Sequence, residues 1–165
     1  MSTSNNIPFK VKKSFHLFNR SFDEGRDYEL PFHEVEVLMK EGLVDITTLK
    51  SVDYLKLFKE EKAEKKIARL PDNFFKHARI SQKYLKEKSS ISEKDKKIYN
   101  ESTTALRNLL RLRKEKILMA LLVENERIEV HEEEVLFSSR VSMEISKWKD
   151  FEECLVMGEK YEIKL

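Results

Sequence analysis

Between Gly42 and Gly158 the chain meets a single backbone breaker, Pro71. Glycine and proline are the residues that most strongly interrupt helices, so a stretch with one of them is expected to fold as long helices with one sharp stop. The charged fraction of 38%, rich in Lys and Glu, supplies good helix formers and places much of that helical surface in water. A length of 165 residues fits one domain of ordinary size, or a medium domain with a small appendage.

The pattern predicts a mainly α chain in which a small β-rich α+β unit precedes a helical body. Residues 1–7 are expected to be disordered, and residues 8–48 to form a β-β-α-β unit. Val11, Phe15, Leu17 and Phe18 mark a first strand, residues 21–25 a turn, and residues 28–30 a second strand. Pro31 is expected at the first helical position, where its missing N–H costs nothing. Val35, Leu38 and Met39 follow at helical spacing, Gly42 suits a left-handed cap, and residues 43–46 read as a third strand. A unit of about 40 residues has too little core to stand alone and should pack on something larger.

Residues 49–157 are expected to hold four to five helices. One starts near Ser51 and runs into the charged stretch 59–66, which reads as polar all round. Pro71 stops it, because the residue before a proline is pushed off helical angles. A second helix follows Asp72, the longest covers about 93–123, and a last one begins near Val130 with three glutamates in its first turn. Residues 158–165 form a tail whose alternation predicts an edge strand.

Charge is unevenly distributed. Residues 51–122 carry 19 basic and 10 acidic side chains, whereas residues 123–165 carry 6 and 12. Arg107, Arg111 and Lys114 stand at i, i+4 and i+7 and share one helix face, flanked by Arg113 and Lys116. Such a stripe suits nucleic-acid phosphates or an acidic partner, and it is equally what a solvated helix face looks like. On the same helix Leu106, Leu109, Leu110, Ile117 and Leu121 belong to an apolar arc wider than one core needs. Phe74 and Phe75, neighbours roughly 100° apart on a helix, cannot both point into one core. These seven residues are the candidates for a subunit interface.

Nothing in the sequence assembles a catalytic or metal-binding group. His16, His33, His77 and His131 lie far apart with no second histidine at i+3 or i+4. With Gly25, Gly42 and Gly158 alone there is no phosphate-cradling loop, so no cofactor is expected. Cys154 is the only cysteine, which excludes an internal disulfide and suits a cytoplasmic protein. No run approaches the ~18 apolar residues of a membrane span.

The layout resembles a subunit of archaeal GINS, the helicase-associated replication complex. The matching residues are Tyr28-Glu29-Leu30-Pro31-Phe32-His33-Glu34 entering a helix, then Gly42-Leu43-Val44-Asp45-Ile46. The hinge Leu70-Pro71-Asp72-Asn73-Phe74-Phe75 follows, then the long helix with Leu109-Leu110-Arg111-Leu112-Arg113-Lys114, and finally Glu133-Glu134-Val135-Leu136-Phe137. With the small domain first, the chain is similar to the eukaryotic subunits two and three. The resemblance implies a non-enzymatic scaffold with no catalytic residues. It also implies a 2:2 tetramer with an A-domain-first GINS subunit, built through the helical domains. That assembly would dock MCM helicase and a RecJ-like partner at replication forks, near the nucleoid.

Overall fold

The computed structural model describes residues 6–17, 19–123 and 128–162. Strand β1 (Asn6–Val11) is the centre of a three-stranded antiparallel sheet in the order β4-β1-β5, with β4 at Asp27–Pro31 and β5 at Val44–Ile46. Its register sets Ile7 opposite Leu30, Phe9 opposite Tyr28 and Ile46, and Val11 opposite Val44. The period-2 alternation turns Ile7, Phe9 and Val11 to one face, where all three are buried. Strands β2 (Phe15–Leu17) and β3 (Arg20–Phe22) form a separate hairpin. Phe22 closes the sheet core from that hairpin, stacked on Phe15 at 4.8 Å between centroids.

This N-terminal unit corrects the sequence reading in four places, the first being that Ser21 and Phe22, expected in a turn, belong to β3. Asn6 and Ile7 belong to β1, although they were expected within a disordered leader; residues 1–5 lie outside the described residues. The apolar set Val11, Phe15 and Leu17 does not make one strand, because the chain turns between Val11 and Phe15. Phe18, expected to end that strand, lies outside the described residues. Pro31 ends β4 and caps α1 (Phe32–Lys40) in extended geometry, one residue before the helix begins. Gly42 adopts φ 70° as expected. The Gly42 amide donates to the Met39 carbonyl at 2.9 Å and the Leu43 amide to that of Leu38 at 3.0 Å. That pairing satisfies two of the last carbonyls of α1 and aims the chain into β5.

The helical body follows: α2 (Ser51–Ala63), α3 (Phe74–Lys88), α4 (Glu93–Leu122) and, after a 3-10 turn at Glu132–Glu134, α5 (Val135–Val156). α2 ends at Ala63, eight residues before Pro71, which was expected to stop it, and the last helix starts five residues later than expected. Glu159–Glu162 form no strand, against the expected edge strand; residues 163–165 lie outside the described residues. A second core gathers Tyr54, Leu70, Phe74, Ala78, Ala105 and Leu109 between α2, α3 and α4.

α3 joins the two cores. Its first turns supply Phe74 and Ala78 to the helical core, and one turn on it sends Ile80 into the sheet core. The joint after β5 is tied to the same helix. His77 Nε2 lies 2.7 Å from the Thr47 carbonyl, and Ser81 Oγ accepts from the Leu49 amide at 2.8 Å. Asn73 Nδ2 donates to the Asn6 carbonyl at 2.7 Å. Each bond satisfies a backbone group that a short buried connection would leave unpaired.

Candidate interaction surface

α5 is where this chain departs from the pattern of a helix made for its own core. None of its 22 residues is buried. Leu136 is 64% exposed, Met143 62%, Trp148 61% and Leu155 66%. The last turn of α4 also exposes Met119 and Leu122, and Val123 follows it. Single exposed apolar residues are ordinary on a protein surface, but this many large ones on one helix, Leu136 and Met143 on one side and Trp148 and Leu155 about a third of a turn away, mark a candidate site of association. No helix among the described residues is long and apolar enough to cross a membrane.

The start of this helix is fixed with unusual care. The His131 ring accepts from the Glu133 amide through Nδ1 at 3.2 Å, and the Glu134 carboxylate accepts from the His131 amide at 3.0 Å. These reciprocal bonds satisfy donors that a helix start leaves open. His131 Nε2 meets the Asp72 carbonyl at 3.1 Å, and its ring lies edge-on to Phe75 at 4.8 Å. With Nδ1 accepting, Nε2 carries the proton and donates.

Two arginine forks hold the adjoining glutamates. Arg79 of α3 grips Glu133 through both guanidinium nitrogens, one at 3.1 Å. The bond to Arg79 holds the Glu133 carboxyl below its ordinary range. Arg113 of α4 donates from Nε and Nη2 to the two Glu134 oxygens at 2.8 and 2.7 Å. Its Nη1 reaches Glu61 Oε2 of α2 at 2.5 Å and the Ala68 carbonyl at 2.7 Å. Burial works against the charged form of Arg113, but the two carboxylates outweigh it and hold the guanidinium protonated.

Lys116 completes the cluster. Its ammonium stands 3.0 Å from Glu61 Oε1 and collects the carbonyls of Glu61, Glu64 and Lys66. Those carbonyls peel away from helical pairing, which is why α2 ends at Ala63; Glu64 turns to extended geometry and the chain bends at Lys65 and Lys66 on its way to the hinge. The cluster holds two carboxylates and two cations, so its charges balance and nearly every polar atom has a partner.

The sequence candidates separate into three groups. Phe74, Leu109 and Ile117 are buried in the chain itself and present nothing to a partner, which corrects their place in the expected interface. Phe75, Leu106 and Leu121 are half-buried, and Leu110 is 37% exposed. Arg107, Arg111 and Lys114 are exposed. Arg113 and Lys116, expected to flank that basic face, instead turn inward to Glu61. The stretch 59–66, read as polar all round, contains the fully buried Glu61.

What sequence reasoning missed is α5 as the main exposed apolar element, together with the clamp at its root. A signal for the clamp existed: Ala105, Leu109, Arg113 and Ile117 form an i+4 row, so Arg113 falls on the buried face. No protein-family model and no curated protein sequence matches this chain.

Proposed function

We propose that this chain is a non-enzymatic scaffold subunit of a GINS-like complex that supports the MCM replicative helicase in DNA replication. The observation that carries the reading is α5, a helix about 33 Å long that presents apolar side chains and buries none of them. Covering what is still exposed of Leu136, Met143, Trp148 and Leu155, about two-thirds of each, is worth roughly 4–8 kcal/mol gross. Association itself costs about 4–15 kcal/mol, so α5 alone gives a marginal complex. Met119, Leu122 and Val123 at the end of α4 add further exposed apolar surface that a partner spanning both helices would cover.

The partner on this surface is an A-domain-first GINS subunit, in a 2:2 heterotetramer. The order of a small β-rich unit followed by a helical body fits the second half of such a pair. MCM and a RecJ-like partner dock on faces left free, among them the N-terminal sheet unit. The test is co-expression with an affinity-tagged A-first subunit. Stoichiometric recovery of this chain, lost in Leu136→Asp and Trp148→Asp, supports the proposal. Recovery that ignores both substitutions, or no recovery at all, overturns it.

A further inference from the structure

α2 and α4 run side by side in the same direction: Tyr54 and Ala105 share one core, and nearer the other end Glu61 meets Arg113. On the solvent side, between the start of α2 and the middle of α4, lies a shallow groove of about 490 Å³ lined by Ser51 and Leu55 of α2 and by Asn100, Glu101, Thr104, Ala105 and Asn108 of α4. Farther along the same flanks the side chains become basic. From Leu55 the helical repeat leads to Lys59 and Lys62; from Asn100 it leads to Arg107, Arg111 and Lys114.

All five cations are exposed, and none of them forms an ion pair with another described residue. Elsewhere the chain pairs its cations readily, as Arg79, Arg113 and Lys116 do. Glu101 lines the groove itself and Glu115 stands beside Lys114, and these two carboxylates against the five cations leave the strip positive. Five unpaired cations on one two-helix face repel one another, and an extended anion relieves that repulsion.

We infer that this face binds the sugar-phosphate backbone of a nucleic acid without reading its sequence. Ser, Thr and Asn side chains such as those lining the groove are the neutral groups that hydrogen-bond phosphate and sugar oxygens. Along α4 the cations recur every three or four residues, about 5–6 Å of helix rise, giving a continuous row for a repeating charge. An acidic protein would need apolar anchors in the same patch. Here the groove offers Leu55 and the nearly covered Ala105, and no large aromatic, while most of the large exposed apolar side chains stand on α5 and at the end of α4. No aromatic side chain lines the groove, so bases do not stack there and the binding tolerates any sequence. The inference is independent of what covers α5.

The test is fluorescence anisotropy of the full chain with a labelled oligonucleotide of about 20 nucleotides, between about 50 and 200 mM salt. Five phosphate contacts on a single strand give a slope of log affinity against log salt near −3.5, roughly a 100-fold loss over that range. The triple charge reversal R107E/R111E/K114E lowers affinity at the low salt by at least ~10-fold and cuts the slope by about 2. These residues are exposed, so folding is preserved, and circular dichroism verifies it. The control reversal K13E/K83E/K86E, at exposed positions elsewhere, leaves slope and affinity nearly unchanged. Absence of binding at low salt, or equal loss in the control, overturns the inference. So does competition by a poly-glutamate peptide at equal charge concentration, which would assign the face to an acidic protein.

Discussion

Replacing Arg113 with methionine isolates the electrostatic part of the clamp, because methionine keeps most of the side-chain volume while removing all five donors. Arg113 is 2% exposed, Glu61 has no exposed surface and the Glu134 side chain is 11% exposed. The substitution therefore strands one carboxylate inside the protein and frees a second from its fork. Removing one partner of a buried pair costs about 3–5 kcal/mol. Lys116 remains 3.0 Å from Glu61 and softens the loss, so the expected value is at the lower end, about 3 kcal/mol. Against a typical total of about 5–15 kcal/mol, that is a large fraction. Urea unfolding followed by circular dichroism reads it as a lower midpoint at unchanged slope. Adding Glu61→Gln should return part of the loss, since the stranded charge is gone. A loss below ~1 kcal/mol in the single variant would refute the reasoning, because it is the size expected of a solvent-screened surface pair.

Other consequences are as sharp. Trp148→Asp should leave the stability of the isolated chain within about 0.5 kcal/mol, because the indole is 61% exposed, and the same urea assay checks this. Burial holds the His77 imidazole below its ordinary value of 6.5, and its Nε2 donates to the Thr47 carbonyl. The unfolded chain thus binds the extra proton, and stability present above pH 6.5 falls as the pH drops below it. Thermal melts across that range should show the fall, and His77→Gln should flatten it. Arg79 holds the Glu133 carboxyl below 4.5, so this tie also contributes above pH 4.5 and fades in acid. Hydrogen exchange of the amides at 131–137 should accelerate there in the natural chain and be fast at neutral pH in Arg79→Ala. The Tyr54 hydroxyl is buried without a hydrogen-bond partner among the described residues, and burial holds its pKa well above the ordinary range. Tyr54→Phe should therefore be neutral or stabilising by up to ~1 kcal/mol in urea unfolding.

The helical half of the fold was legible because its signals are local. Ser92 caps the start of α4, and the 3.6-residue rows of α3 and α4 run long enough to be unambiguous. Pro71 marked the hinge but not the end of α2, which stops eight residues earlier. The sheet unit was read less well. β2 and β3 are three residues each, too short for alternation to separate two strands from one. Ile7 lies beside Pro8 in a polar leader, and only its pairing with Leu30, across 23 positions of chain, explains why it is buried. The clamp was hidden for a similar reason. A charged residue is buried only when a partner waits for it, and Glu61 and Arg113 are 52 residues apart. In α5 the difficulty ran the other way. Val141, Ile145 and Trp148 recur at helical spacing as core positions do, yet no described residue buries them, and they lie half-exposed or open. Periodicity identifies an apolar face without saying whose core it completes.

The most direct test of the scaffold reading is the mass in solution, by light scattering after gel filtration, of this chain alone and mixed with an A-domain-first GINS subunit. A single species near four chains in the mixture, reduced to separate components by Trp148→Asp, is the expected result. A monomer that passes the companion by, with α5 still helical, would contradict it.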